Sequence, residues 1–235
     1  MRVFVAGAAG AIGRQLVPML VDARHEVHGT TRSPERAGWL RSAGAVPVIL
    51  DARDPGALRD AVIAARPDAT IHELTDLKAG QRPDDLSATA LLRRSSIRAV
   101  VDGLVAVGGG RLIVQSAAWL YAEGRVPHRE ADPLLDPARH PAQRTLPGIL
   151  AVERITLSTP RIDGTVLRYG LLYGPGTVSE ERDDRPAVHV VAAARATALA
   201  LVSGARGVFN VVDDGEDVSN ERARTLLGWN PDDRA

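Results

Sequence analysis

Apolar positions along the chain switch repeatedly between two periods. Residues 2–6 form a short continuous apolar run that ends in glycine, and behind it Ile12, Leu16, Met19 and Leu20 recur near helical spacing. This predicts a strand, a tight turn and a helix, with Pro18 expected to bend the helix locally. Residues 26–31 read as a second strand ending at a Ser33-Pro34 break, and 46–50 as a third. Asp54 then stands as a helix cap with Pro55 at the first helical position, ahead of Leu58, Ala61, Val62 and Ala65 on one face. A fourth strand at 69–72 is followed by a polar loop at roughly 76–85 and by a helix whose Ile97, Val100, Val101 and Leu104 share a face. Gly108, Gly109 and Gly110 stop that helix. Strand five is read at 111–115, a proline-rich loop at 126–147, a short helix at 149–157 and strand six at 165–167. An alanine-rich helix at 190–202 precedes strand seven at 208–212. Strands alternating with helices at this rhythm predict an α/β fold, a doubly wound parallel sheet of about seven strands.

Composition narrows the function classes. The chain has 235 residues, 45% hydrophobic and 25% charged, which suits one domain over 1–235 with a real core and excludes a disordered or fibrous protein. Lys plus Arg and Asp plus Glu both number 29, so no basic field exists to gather phosphates along a duplex, and no nucleic-acid partner is expected. Cysteine is absent, which removes disulfides, thiolate nucleophiles and cysteine-based metal sites, and makes the cytoplasm the expected location. The six histidines show no short metal-ligand spacing with acidic partners, so no metal is expected. The N-terminal run is too short and glycine-rich for a signal segment, and no stretch approaches membrane length. Among the 29 basic residues only Lys78 is lysine, which leaves one candidate for any chemistry that needs an active-site lysine.

The strongest motif is Gly7-Ala8-Ala9-Gly10-Ala11-Ile12-Gly13, a G-x-x-G-x-x-G run placed where strand one meets helix one. Glycines there allow a tight turn and close backbone approach to a pyrophosphate, whose charge the helix N-terminus favours. The end of strand two, Thr30-Thr31-Arg32-Ser33, offers no carboxylate to a ribose 2′-hydroxyl. Arg32, helped by Arg36 or Arg14, can pair with a 2′-phosphate instead, so NADP is expected ahead of NAD. The bland alternative is that these arginines are simply solvated.

Taken together, several segments resemble an extended short-chain dehydrogenase/reductase of the epimerase/dehydratase-like branch, over nearly the whole chain. They are the glycine signature, Asp51-Ala52 after strand three, Ile71-His72, Gln115-Ser116, the run from Leu167-Arg168-Tyr169-Gly170 to Tyr173-Gly174-Pro175-Gly176, and Leu227-Gly228-Trp229-Asn230-Pro231. The resemblance implies a Rossmann-type, NAD(P)-binding domain in which Gly7, Gly10 and Ile12 cradle the pyrophosphate, with Ala9, Ala11 and Gly13 in the same loop. It implies that Arg32, with Thr31 beside it, meets the adenosine ribose or its phosphate, that Asp51 and Ala52 flank adenine, and that Leu74 and Thr75 run beside the ribose. Ser116 matches the serine that hydrogen-bonds a substrate carbonyl, and Tyr169 opens a segment passing near the nicotinamide and substrate. A homodimer through the helices flanking strand five is also implied.

The departures matter equally. The family's Tyr-x-x-x-Lys pair is missing: Leu74 stands four residues before Lys78, and counting back from Glu153 puts Thr145 and Ile149 in the tyrosine and lysine places. Tyr121 is the tyrosine nearest Ser116, so Ser116 and Tyr121 are the catalytic candidates. An unassisted tyrosine, with a pKa near about 10, donates a hydrogen bond at neutral pH but is a poor base. Only residues 177–188 separate Gly174-Pro175-Gly176 from His189, so 168–235 is expected to supply a reduced substrate lobe, or one completed by another subunit. The structural alternatives are that Ser116 caps a turn, Tyr121 packs beside Trp119, His72 packs at the end of strand four, Glu153 pairs with an arginine, and 91–98 is a solvated helix face. A hydrolase is excluded, because Ser116 lies between Gln115 and Ala117 and no G-x-S-x-G elbow exists. Three functions stay open: an NADP-dependent oxidoreductase or epimerase acting on a small carbonyl compound, a non-redox enzyme on the same scaffold (dehydration, isomerisation or cyclisation), and a non-catalytic dinucleotide sensor.

Overall fold

The computed structural model describes residues 1–75 and 83–234. Its centre is a seven-stranded sheet in the order β3-β2-β1-β4-β5-β6-β9, with every pairing parallel. The strands are β1 (Arg2–Ala6), β2 (Glu26–Thr31), β3 (Val46–Ile49), β4 (Ala69–His72), β5 (Gly110–Ala117), β6 (Ile162–Tyr169) and β9 (Gly207–Val211). From β1 the chain steps outward through β2 and β3, then returns to the opposite side of β1 for β4 and continues through β5, β6 and β9. Successive connections therefore diverge between β1 and β4, and the carboxyl ends of those strands border a crevice.

Side-chain alternation along the strands builds two core layers. From β1, Val3 and Val5 enter the layer formed with α1 (Ala11–Asp22), α6 (Val190–Ser203) and α7 (Glu221–Leu227), together with Leu40 of α2 (Pro34–Ser42). Phe4 and Ala6 enter the opposite layer, with α3 (Pro55–Ala65), α4 (Pro83–Ala106) and α5 (Leu146–Ser158). A strand covered on both faces reads as a continuous apolar run, as Val3 to Ala6 of β1 does; β4 is buried throughout although it carries Thr70 and His72. Asp54 caps α3 by accepting the Ala57 N–H at 3.0 Å. Gly108, Gly109 and Gly110 all have positive φ (112°, 96° and 146°) in the turn that ends α4.

Several local expectations change. Strand β2 ends ahead of Ser33-Pro34 as expected, and the same pair starts α2: Ser33 Oγ accepts the Arg36 N–H at 3.2 Å and Pro34 occupies the first turn. Helix α1 contains Pro18, as the pattern of apolar positions predicts. Asp84 and Asp85, read as loop, lie in the first turn of α4, where their charge suits the helix dipole. The remainder of that loop, with Lys78, lies outside the described residues. Helix α7 had no periodic signal in the sequence.

Much of 168–235 belongs to the main sheet rather than to a separate body, since α6 and β9 complete its layers. Outside it stand β7 (Leu171–Tyr173) and β8 (Ala187–His189), paired as a second, two-stranded parallel sheet with residues 174–186 between them. Trp229 ties the chain end to α6, its indole N–H donating to the Ala192 carbonyl at 2.8 Å. Among the described residues no helix is long and apolar enough to cross a membrane.

Candidate functional site

The crevice between β1 and β4 opens into a cleft of about 180 Å³. Its floor is the glycine loop. Gly7 has φ +97°, and a Cβ there would lie 2.8 Å from the Glu73 carbonyl oxygen, so both conformation and space demand glycine. A Cβ on Gly13 would lie 2.4 Å from the Ala8 oxygen, which lets helix and loop sit against each other. The Gly7 N–H donates to Thr30 Oγ1 at 2.9 Å, and the Gly10 N–H closes the turn onto the Gly7 carbonyl at 2.9 Å. No side chain caps α1 and no acidic residue stands in its first turn. Ala11, Ile12 and Gly13, which line the cleft, therefore bring to it a helix N-terminus whose uncompensated N–H groups favour an anion.

The walls come from the ends of successive strands. Thr30, Thr31, Arg32 and Arg36 form the rim after β2, while Leu50, Asp51, Ala52 and Arg53 follow β3. Glu73, Leu74 and Thr75 follow β4, and Leu92, Gln115 and Leu172 close the remaining side. Residues 7, 9–13, 31, 32, 51, 52, 74 and 75, named from the sequence, are thus brought to one cavity. Arg14 is placed elsewhere, its guanidinium 5.7 Å from the centre of the Trp39 ring.

Tyr169 does not reach the cleft. It is buried in the layer under α6, its hydroxyl 2.6 Å from Thr197 Oγ1 and donating to Glu73 Oε1 at 3.2 Å. It touches the cavity only through Glu73. That glutamate was not singled out from the sequence, although a carboxylate directly after a fully buried strand is the signal that could have found it. Among the described residues its Oε2 has no hydrogen-bond partner. Burial pushes its carboxyl up to about 8, against the opposing hydrogen bond from Tyr169 and the charge of Arg93. Arg93, buried on α4, is itself lowered to about 10 by burial despite the charge of Glu73. His72 packs at the end of β4 with Nε2 2.8 Å from Ser96 Oγ, and burial, helped by Arg93, lowers its pKa to about 4.

Ser116 and Tyr121 are likewise placed away from the cleft. Gln115 faces the cavity, and the next residue along the strand turns to the opposite layer, where Ser116 Oγ donates to Glu153 Oε1 on α5. Glu153 forms a two-pronged ion pair with Arg168 of β6, Nε to Oε1 at 2.8 Å and Nη2 to Oε2 at 2.7 Å. Arg168 Nη1 donates to the Tyr121 hydroxyl at 2.9 Å, and that hydroxyl donates to Asn210 Oδ1 at 2.7 Å. The Tyr121 ring stacks on His128 with centroids 4.9 Å apart. Burial raises the phenol pKa, against the lowering effect of Arg168, so Tyr121 is a neutral donor whose proton is already directed at Asn210. Thr145 precedes α5 and Ile149 sits in an apolar cluster with Leu120 and Leu146, so neither family position carries an acid or base. Among the described residues, no group of three or more histidine, aspartate or glutamate side chains could hold a metal.

Comparison with known proteins places this geometry in context. The family model described as NAD dependent epimerase/dehydratase family matches residues 3–216. The 3-diazoavenalumate denitrifying reductase of a Streptomyces species is 39% identical over 220 residues, spanning 91% of this chain and 69% of that protein. Pal from Bacillus thuringiensis has the same fold, with a TM-score of 0.82 at 18% identity over 98% of this chain and 94% of its own. UDP-glucose 4-epimerase from Bifidobacterium longum, solved with NAD+ and UDP, gives a TM-score of 0.80 at 16% identity over 100% and 96%.

Proposed function

The chain belongs to the NAD dependent epimerase/dehydratase family, and from that premise we propose that it is an NADP(H)-binding reductase or epimerase-like enzyme acting on a small carbonyl-containing metabolite. The observation that carries the nucleotide choice is the pair Arg32 and Arg36 on the rim of the glycine cleft, beside a β2 end that bears no carboxylate. The residues fit such a ligand. The uncapped first turn of α1, brought to the cleft by Ala11, Ile12 and Gly13, favours the pyrophosphate. Asp51 and Ala52 would flank the adenine, Leu74 and Thr75 the ribose, and the two arginines the 2′-phosphate. When bound, the nicotinamide supplies hydride exchange with the substrate carbonyl. Leu172 at the cavity edge supports a substrate covered by β7, β8 and the segment between them.

Ser116 and Tyr121 are positioning residues in this reading, because both hydroxyls are spent on the Glu153–Arg168 pair. A homodimer through α4 and α5 is supported by the exposed Leu91, Val105 and Leu157 on those helices. The apolar and capping residues at 145 and 149 favour one second reading, a protein that binds the dinucleotide without turning it over.

Calorimetric titration with NADPH, NADP+, NADH and NAD+ tests the proposal. Micromolar NADP(H) binding that shifts toward NAD(H) in Arg32→Asp supports it, and NADPH oxidation with a carbonyl substrate separates enzyme from sensor. Binding of none of the four would make the glycine loop architecture alone.

A further inference from the structure

We propose that Glu73 is a proton site linked to dinucleotide binding: the cleft takes its anionic ligand with a proton on this carboxyl, and loses affinity as the carboxyl ionises. The inference rests on the dinucleotide reading above and assigns a residue that the glycine motif does not include.

Placement is the first argument. Glu73 is the first residue beyond β4, and its N–H donates to the Ala6 carbonyl at 2.8 Å, one residue before the glycine loop. A Cβ on Gly7 would lie 2.8 Å from the Glu73 carbonyl oxygen and 3.4 Å from its Cβ. The side chain therefore grows from directly beside the turn that would receive the pyrophosphate, at the crossing of β1 and β4. A carboxylate there would set a like charge against the ligand, and the burial of Glu73 leaves that charge poorly screened.

The surroundings favour the neutral acid. Glu73 is buried, one oxygen accepts a hydrogen bond from Tyr169, and the other has no partner among the described residues. The Tyr169 oxygen in turn accepts from Thr197 Oγ1 at 2.6 Å, so the phenol is held in place from α6. An ionised carboxylate with an unsatisfied oxygen in such a place is costly, whereas a carboxylic acid is tolerated.

Among the described residues the titratable and charged groups acting on Glu73 are Tyr169 from β6 and Arg93 from α4, and His72 precedes it at the end of β4. The glycine loop contributes none. Between pH 7 and 9 these neighbours keep their states: His72 is neutral, titrating at about 4, Arg93 is cationic, titrating at about 10, and Tyr169 is raised well above 10 by burial. Glu73, titrating at about 8, is the group that changes. Linkage is reciprocal, so an anion that raises the carboxyl's proton affinity is itself weakened when the proton leaves. A complex that requires the protonated form loses affinity tenfold per pH unit above the midpoint, which makes the Kd at pH 9 about tenfold higher than at pH 7.

The test is calorimetry with NADPH at pH 8.5 in two buffers of different ionisation enthalpy, on the wild type and Glu73→Gln. The wild type should take up about three-quarters of a proton per NADPH bound, and Glu73→Gln none, with a Kd unchanged between pH 7 and 9. Equal proton uptake in both proteins, or none in a wild type that binds NADPH, overturns the inference and leaves the dinucleotide reading intact. Failure of NADPH and NADH to bind at either pH overturns the dinucleotide reading, and the proton site with it. Infrared spectroscopy on the wild type supplies a measurement that does not depend on the variant folding. The C=O stretch of a protonated carboxylic acid should gain intensity on adding NADPH at pH 8.5, and no gain in a protein that binds NADPH refutes the proposal.

Discussion

Removing Arg168 is the most informative single perturbation, because its ion pair holds both hydroxyls that the sequence offered for catalysis. Arg168 and Glu153 side chains are 4% and 7% exposed, so neither charge is served by water. Arg168→Met deletes the two bonds to Glu153, the one to Tyr121, and one to the Glu130 carbonyl at 3.2 Å, leaving a buried carboxylate whose remaining partner here is Ser116. Burial works against the charge on Arg168, yet hydrogen bonding and the charge of Glu153 outweigh it and raise the guanidinium pKa. Breaking such a pair on one side costs about 3–5 kcal/mol, whereas replacing both partners by apolar groups is often close to neutral. Arg168→Met/Glu153→Leu should then recover most of the loss, short of about 1 kcal/mol for the Ser116 hydroxyl left without its acceptor. With a urea m-value of about 2.5 kcal/mol/M, the single variant's midpoint drops by about 1.2–2 M and the double variant's by under about 1 M. Urea unfolding followed by tryptophan fluorescence reads this directly, and NADPH affinity of the folded single variant should stay within about threefold because the network does not line the cleft. A single-variant midpoint within 0.3 M of wild type, or a double variant as unstable as the two single losses summed, refutes the account of a coupled buried pair.

Other expectations follow from the same contacts. Gly7→Ala forces a side chain into positive φ with its Cβ 2.8 Å from the Glu73 carbonyl; it should cost at least about 1 kcal/mol and weaken NADPH binding at least tenfold, as urea melts and calorimetry would show. For pH, Glu73 titrates at about 8 in the fold against 4.5 as its ordinary value, so its contribution is full below pH 4.5 and is lost as pH rises through 8. His72, lowered from 6.5 to about 4, acts in the opposite sense: stability is present above pH 6.5 and lost as pH falls through 4. The two slopes oppose each other between pH 4.5 and 6.5, and Glu73 alone then lowers stability by about 2 kcal/mol between pH 6.5 and 8. Glu73→Gln should remove that fall, and parallel pH profiles for the two proteins would contradict it. Trp229→Ala, which empties a buried indole site and removes its hydrogen bond to the Ala192 carbonyl, should cost about 3–5 kcal/mol by chemical denaturation.

Local physics made a large part of this molecule legible from its residues. The continuous apolar run of β1, the helical face Leu58, Val62 and Ala65 behind the Asp54 cap, and the glycines at 7, 10 and 13 are all short-range signals. Their periods and caps act within a turn or a strand, so they survive without knowledge of neighbours. The doubly wound parallel sheet followed from their alternation alone. Where the meaning of a residue depended on what lay across the fold, the sequence was silent. Ser33-Pro34 suits a break or a helix start equally, and burial of Ala37 and Leu40 against the sheet decides for α2. Tyr169 lies one strand position from Arg168, but the pleat sends it under α6 to Thr197, far along the chain, while Arg168 turns to Glu153 on α5. Ser116 and Tyr121 were recognisable as hydroxyls near a strand end, yet only packing shows that an ion pair between β6 and α5 occupies them both. Glu73 marks the clearest limit, since its carboxyl is raised by burial that no local pattern records, and the Tyr169 hydroxyl that bonds it lies 96 positions away. A sequence records that a carboxyl is present; the dielectric around it, and hence its charge, exists only once the chain has folded over it.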